Sequence, residues 1–170
     1  EEKSPNLADK QNVARQVGIG AVIYADLQNN RIKDIDFWWD RALNFDGETG
    51  PYVQYTHARC CSVLRKAEEQ ALPQAAPDWA ALADDWAQEL LRIVSRLPEA
   101  IADAADKNEP SMVTRAMTDV AKAYNKFYYE NRILDVEAGA REARIRLTRA
   151  TRDVLRVGMY LIGMEAPERM

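Results

Sequence analysis

The stretch GPYVQYTHARCCSVLRKA, Gly50 to Ala67, holds the chain's one histidine, both cysteines, two tyrosines and three cations. Three chemistries are conceivable: a general base at His57, thiol chemistry at Cys60 and Cys61, and aromatic-cation contact with unpaired nucleic acid. Helical geometry separates them. At about 100° per residue, Val53, His57, Cys60, Leu64, Ala67 and Ala71 fall on one apolar face. A histidine there, with no partner evident in sequence, is predicted to be a hydrogen-bonded core residue. Adjacent cysteines on a helix diverge by about 100° and have no third cysteine to pair with, so both are predicted to be reduced. The remaining stripe, Tyr52, Tyr55, Arg59, Ser62 and Lys66, offers rings, cations and a hydroxyl. Rings stack on splayed bases while cations neutralise phosphate, so the stripe fits an unpaired RNA loop. It also fits the simpler reading of a surface helix with two amphipathic tyrosines at a helix junction.

The elements that must position this stripe follow from punctuation. A first helix is predicted from about Leu7 to Leu27, broken by QNNRIKDID. A short aromatic piece, FWWDRALNF, and the turn DGETG lead to Pro51, which suits a first helical turn. ALPQAAP ends that helix. Asp78 is the expected N-cap of a long helix reaching about Lys107 with a bend at Pro98. Pro110 opens another, to about Leu134, and DVEAGA leads into a last one ending near Gly163. Three further stripes recur at helical spacing: Trp79, Leu82, Trp86, Leu90, Ile93 and Leu97; Val113, Ala116, Val120, Phe127 and Leu134; and Ala143, Leu147, Ala150, Val154, Val157 and Leu161. They predict an all-α antiparallel helix bundle with short connections. Tyr124, Tyr128 and Tyr129 are expected to pack at its rim.

Charge is uneven. The net charge of -4 argues against indiscriminate nucleic-acid binding and against DNA as a partner. The acidic stretch Asp78 to Glu109 contrasts with the last helix. There Arg141, Arg149, Arg152 and Arg156 gather opposite the apolar stripe, with Arg144 on the flank. Such a face meets phosphates or pairs with neighbouring carboxylates. No apolar run is long enough to span a bilayer, and no charged-then-apolar leader opens the chain, so a cytoplasmic protein is expected. Asp34, Asp36, Asp40, Asp46 and Glu48 match no calcium loop, and Gly18 to Gly20 lack the spacing of a phosphate loop, so no metal site is expected.

Four stretches, VGIGAVIYADL, FDGETGPYVQYTHARCCSVLRKA, EPSMVTRAMTDVAKAYNKFYYENRIL and RLTRATRDVLRVGMYLIGMEAPERM, resemble the carboxy-terminal part of the arginyl-tRNA synthetase family, in order and across nearly the whole chain. The resemblance implies the end of a class I catalytic domain, here a helical strut at 1–46, followed by an all-α DALR anticodon-binding bundle at 47–170. It implies tRNA(Arg), through its anticodon loop, as partner, with Tyr52, Tyr55, Arg59 and Arg65 touching the loop and Met170 near it. Ser62 and Lys66 join this set from helix geometry alone, and Arg149, Arg152 and Arg156 are candidates for the RNA backbone.

The family's HIGH-type and KMSKS-type signatures are absent, so no catalytic residue, ATP site or magnesium site is expected in this chain. Those belong to the full-length arginine–tRNA ligase, whose catalytic domain is the second expected partner. The Trp38 and Trp39 region is expected to expose apolar surface where that domain is missing. Two other readings remain open: a freestanding RNA-binding helical module and a structural interaction bundle.

Overall fold

A computed structural model describes residues 9–70 and 75–170. Among them every regular element is helical. α1 spans Lys10–Leu27, α2 Trp39–Ala42, α3 Gly50–Glu69, α4 Asp85–Ser95, α5 Leu97–Lys107, α6 Ser111–Glu130 and α7 Ala138–Leu161, with a 3-10 turn at Trp79–Leu82. Leu7, the expected first helical residue, and Ala71, assigned to the apolar face of α3, lie outside the described residues, as does 71–74 of the expected break.

Local chemistry sets the boundaries. Thr49 caps α3 by accepting the Tyr52 N–H, and Pro51 occupies the first turn, where its missing N–H leaves no bond unmade. The carboxylate of Glu137 accepts the N–H groups of Gly139 and Ala140 to start α7. Asn108 in the left-handed region ends α5.

One expected long helix is two. Pro98 lacks an N–H and its ring collides with the carbonyl four residues back, so α4 stops at Ser95 and α5 begins at Leu97. Asp78 caps only the 3-10 turn, and it is Asp84 that caps α4 through the N–H groups of Trp86 and Ala87.

The core has two lobes. Cys60, Val63, Leu64, Leu82, Leu90, Tyr124, Phe127 and Leu147 form one. Tyr24, Val53, Val113, Met117, Val120, Leu155 and Met159 form the other. α6 and α7 run through both, with α3 packed on α7, α4 and α5 on α6, and α1 on α3.

Several face assignments need correction. Trp79 and Trp86 are 57% and 41% exposed, because Ala83 and Asp84 interrupt the helix between them and reset its phase. Each ring is covered by a cation instead, Arg146 over Trp79 and Lys126 over Trp86. On α7, Ala150, Val157 and Leu161 face solvent, while the seam is Ala143, Leu147, Thr148, Thr151, Leu155 and Met159. The threonines go inside because each hydroxyl donates to the carbonyl four residues back, at 2.9 Å, leaving a methyl to pack. Tyr124 is fully buried rather than at the rim, and Leu134 lies beyond the end of α6.

α1 and α3 meet at a glycine pair. A Cβ on Gly50 would lie 2.6 Å from the Gly20 carbonyl oxygen, so backbone touches backbone there. Tyr24 then crosses the core and donates its hydroxyl to the Thr114 carbonyl at 2.8 Å, beside Thr118.

Candidate nucleic-acid interface

α3 presents its two stripes to different neighbours. Val53, His57, Cys60 and Leu64 point inward and are buried. Tyr55, Arg59, Ser62 and Lys66 point into an open cleft of about 900 Å³ between α3, the end of α6, the loop 131–135 and the segment after α7. Arg65 and Met170 line it too. Tyr52 does not: it is half-buried against the second core lobe. Arg149, Arg152 and Arg156 lie on α7 outside the cleft, and Arg152 and Arg156 share the Asp153 carboxylate at 2.8 and 3.6 Å.

Arg59 is held on several sides. Its guanidinium sits 4.8 Å from the Tyr55 ring centre and 5.1 Å from that of Tyr128, a cation layered between two rings. It also donates to Asn125 Oδ1, while Asn125 Nδ2 donates to Thr56 Oγ1 at 3.0 Å, and Thr56 donates to the Tyr52 carbonyl at 2.9 Å. Phe45 also meets Tyr55 edge to face, at 6.2 Å between ring centres.

The other walls hold residues that the helical stripes did not single out. Tyr128, Tyr129, Asn131 and Arg132 come from the end of α6 and its loop, and Glu168 and Arg169 from the segment after α7. Arg59, Arg65, Lys66, Arg132 and Arg169 face Glu130, Asp135 and Glu168, so cations outnumber carboxylates while carboxylate acceptors stay at hand. Tyr128 and Tyr129 carry polar rings on an otherwise charged helix end, a signal that points to a contact surface, but only the fold places them opposite α3.

His57 is no base for this cleft. Its ring is buried, Nδ1 lies 2.9 Å from the Pro167 carbonyl, and burial pushes its pKa below the ordinary value. A carbonyl only accepts, so Nδ1 carries the proton; the Cys61 sulfur lies almost equally far from the two ring nitrogens, 3.9 Å from Nδ1 and 3.8 Å from Nε2. Burial pushes the Cys60 thiol up to about 12 and raises that of Cys61, so neither is a thiolate at neutral pH. Among the described residues no three His, Cys, Asp or Glu side chains are grouped to hold a metal, and no helix is long and apolar enough to cross a membrane.

Fold and cleft together define an all-α bundle with an aromatic and cationic groove along one buried-and-exposed helix. The chain belongs to the DALR anticodon binding domain family, whose model matches residues 53–170. The arginine–tRNA ligase of Alkaliphilus metalliredigens is 49% identical over 170 residues, covering 100% of this chain and 30% of that protein. That of Clostridioides difficile is 50% identical over 168 residues, 99% of this chain and 29% of that protein. The solved arginyl-tRNA synthetase of Thermus thermophilus superposes with a TM-score of 0.91 at 36% identity, over 100% of this chain and 29% of that one. The chain thus spans about 30% of the length of the curated relatives it matches, corresponding to their carboxy-terminal part.

Proposed function

We propose that this chain is the tRNA-recognising part of a cytoplasmic arginine–tRNA ligase and that the cleft beside α3 takes the anticodon loop of tRNA(Arg). The observation that carries this reading is the convergence of Tyr55, Arg59, Ser62, Arg65, Lys66 and Met170 on one cleft with Tyr128, Tyr129 and Arg132. Exposed rings accept unpaired bases, Lys66, Arg65 and Arg132 meet phosphates or base edges, and the carboxylates accept from exocyclic amino groups. Arg59, fixed between Tyr55 and Tyr128, offers a flat face and a fixed charge rather than a free arm. Tyr52 supports that row through its carbonyl, and Arg149, Arg152 and Arg156 serve the RNA backbone outside the cleft.

Residues 1–46 act as a strut toward the catalytic domain and 47–170 as the recognition bundle. Phe37, Trp38 and Trp39, all exposed, are the face for that domain. ATP, magnesium and the ligase chemistry belong to the remainder of the parent enzyme, and no step of that chemistry runs through the residues of this chain.

The test is the affinity of the chain for tRNA carrying an arginine anticodon against the same tRNA with a changed anticodon, at two salt concentrations. Discrimination that vanishes in Tyr55→Ala and Arg59→Ala supports the reading. Equal, salt-sensitive binding of both tRNAs, unaffected by these substitutions, rejects it in favour of a nonspecific polyanion surface.

A further inference from the structure

The segment after α7 reverses at Gly163, which takes a φ of +78°, and then runs back over α3 and α1. Two buried polar side chains of α3 hold it. Gln54 Nε2 donates to the Glu165 carbonyl at 2.9 Å and to the Gln16 carbonyl of α1 at 3.1 Å, so one amide fastens three pieces of chain. Gly20 leaves the slot for this amide, since a Cβ there would stand 2.7 Å from Gln54 Nε2. One turn on, His57 Nδ1 donates to the Pro167 carbonyl at 2.9 Å. Outside, the Glu165 carboxylate is gripped by Arg15 at 2.7 Å and Gln16 at 2.8 Å. The three residues after Pro167, namely Glu168, Arg169 and Met170, line the cleft.

Gln54 and His57 are themselves buried and line no part of that cleft, so neither can touch a ligand in it. We propose that Gln54 and His57 are positioning residues, which hold residues 165–167 from beneath so that Glu168, Arg169 and Met170 form the cleft wall. The proposal rests on the cleft being the RNA site only for its effect on affinity; the hold on the segment stands on geometry alone. It also explains two polar side chains on an otherwise apolar face: backbone carbonyls of a segment without regular structure need donors, and α3 supplies them.

The experiment compares the chain with His57→Leu, Gln54→Met, His57→Asn and a form ending at Pro167, in binding an RNA hairpin with an arginine anticodon and in amide exchange across residues 164–170. Leu and Met remove the donors, whereas the Asn amide nitrogen can stand where Nδ1 stood. Expected is an affinity lowered about tenfold in His57→Leu and Gln54→Met, the effect of misplacing one stacking or phosphate contact. Exchange across 164–170 should be faster in both, unchanged in α6, and near that of the parent chain in His57→Asn. The shortened form should bind as weakly as His57→Leu, and adding His57→Leu to it should lower affinity no further.

Unchanged exchange across 164–170 in both donor-less variants overturns the proposal. So does a full further loss of affinity when His57→Leu is added to the shortened form. If the unaltered chain binds no such RNA, the RNA reading fails while faster exchange in the variants still supports the hold on the segment.

Discussion

The crossing of α1 and α3 permits a prediction with opposite signs at two glycines, Gly50 in the crossing and Gly18 beside it on α1. Gly50→Ala puts a methyl carbon 2.6 Å from the Gly20 carbonyl oxygen and 3.0 Å from the Gly20 carbonyl carbon and from Tyr24 Cβ. Ordinary carbon-to-oxygen contacts stand at about 3.3 Å or more, so α1 must retreat by about 0.7 Å. Backbone cannot swing aside as a side-chain end can. A retreat of that size forfeits roughly a quarter to a half of the dispersion energy along the contact, and overpacking of this kind costs about 1–3 kcal/mol. It also pulls the Tyr24 hydroxyl from the Thr114 carbonyl. Gly18 has nothing within 4 Å of its would-be Cβ and sits inside α1. There alanine should add up to about 1 kcal/mol through backbone entropy alone. Urea unfolding at fixed pH reads both, with an unchanged m-value as the sign that only stability moved. Gly50→Ala should lower the melting temperature by about 2–10 °C and Gly18→Ala should raise it slightly. A Gly50→Ala chain as stable as its parent, or equal losses at both sites, would refute the close crossing.

Three further outcomes are expected. Tyr129, 83% exposed in the cleft, can be changed to Ala with no loss of stability but with about 1–3 kcal/mol less RNA affinity if it stacks on a base; an anisotropy titration and a melting curve separate the two. Burial lowers the pKa of His57 from its ordinary 6.5, outweighing the Pro167 carbonyl and Glu168, so the unfolded chain takes up this proton first as pH falls. Its contribution to stability is therefore whole above about pH 6.5 and fades as pH drops toward the lowered folded value. His57→Asn, which has nothing to titrate, should flatten that part of a urea-midpoint series. Cys60 and Cys61 should resist a thiol reagent in the folded chain at mildly alkaline pH and both react in denaturant, because their thiols are buried and their pKa values raised; rapid labelling of the native chain would contradict the packing described.

Much of the fold was legible because proline, glycine and capping residues punctuate the helices and apolar residues recur at helical spacing. The errors have local causes. A stripe drawn from Trp79 to Leu97 assumes one helix, whereas Asp84 starts a new one and rotates the register. The α7 seam was drawn around Val157 and Leu161 because hydropathy counts Thr148 and Thr151 as polar, although a threonine hydroxyl bonded within its own helix packs as a small apolar group. Of the candidate site, the α3 stripe of Tyr55, Arg59, Ser62 and Lys66 could be drawn from angles alone. Arg65 and Met170 came only by resemblance. Tyr128, Tyr129, Arg132 and Arg169 could not be placed, since they reach the cleft from an α6 end, a loop and a returning segment, and single-helix geometry carries no information about such meetings. The role of Gln54 was equally hidden: a buried amide in sequence gives no hint of which carbonyls it serves.

The layered row of Tyr55, Arg59 and Tyr128 has a kinetic consequence. A guanidinium on a free arm samples many rotamers and carries loosely held water, both of which must be surrendered when it meets a ligand. Arg59 has its charge centred between two rings and its reach fixed by Asn125 before anything arrives. Its ordering entropy was spent in folding, so RNA binding at this row, as proposed above, needs little rearrangement and should show a weak dependence of the on-rate on temperature beyond that of diffusion. Lys66 is exposed, so on the proposed reading its side chain is one that has still to be ordered on contact.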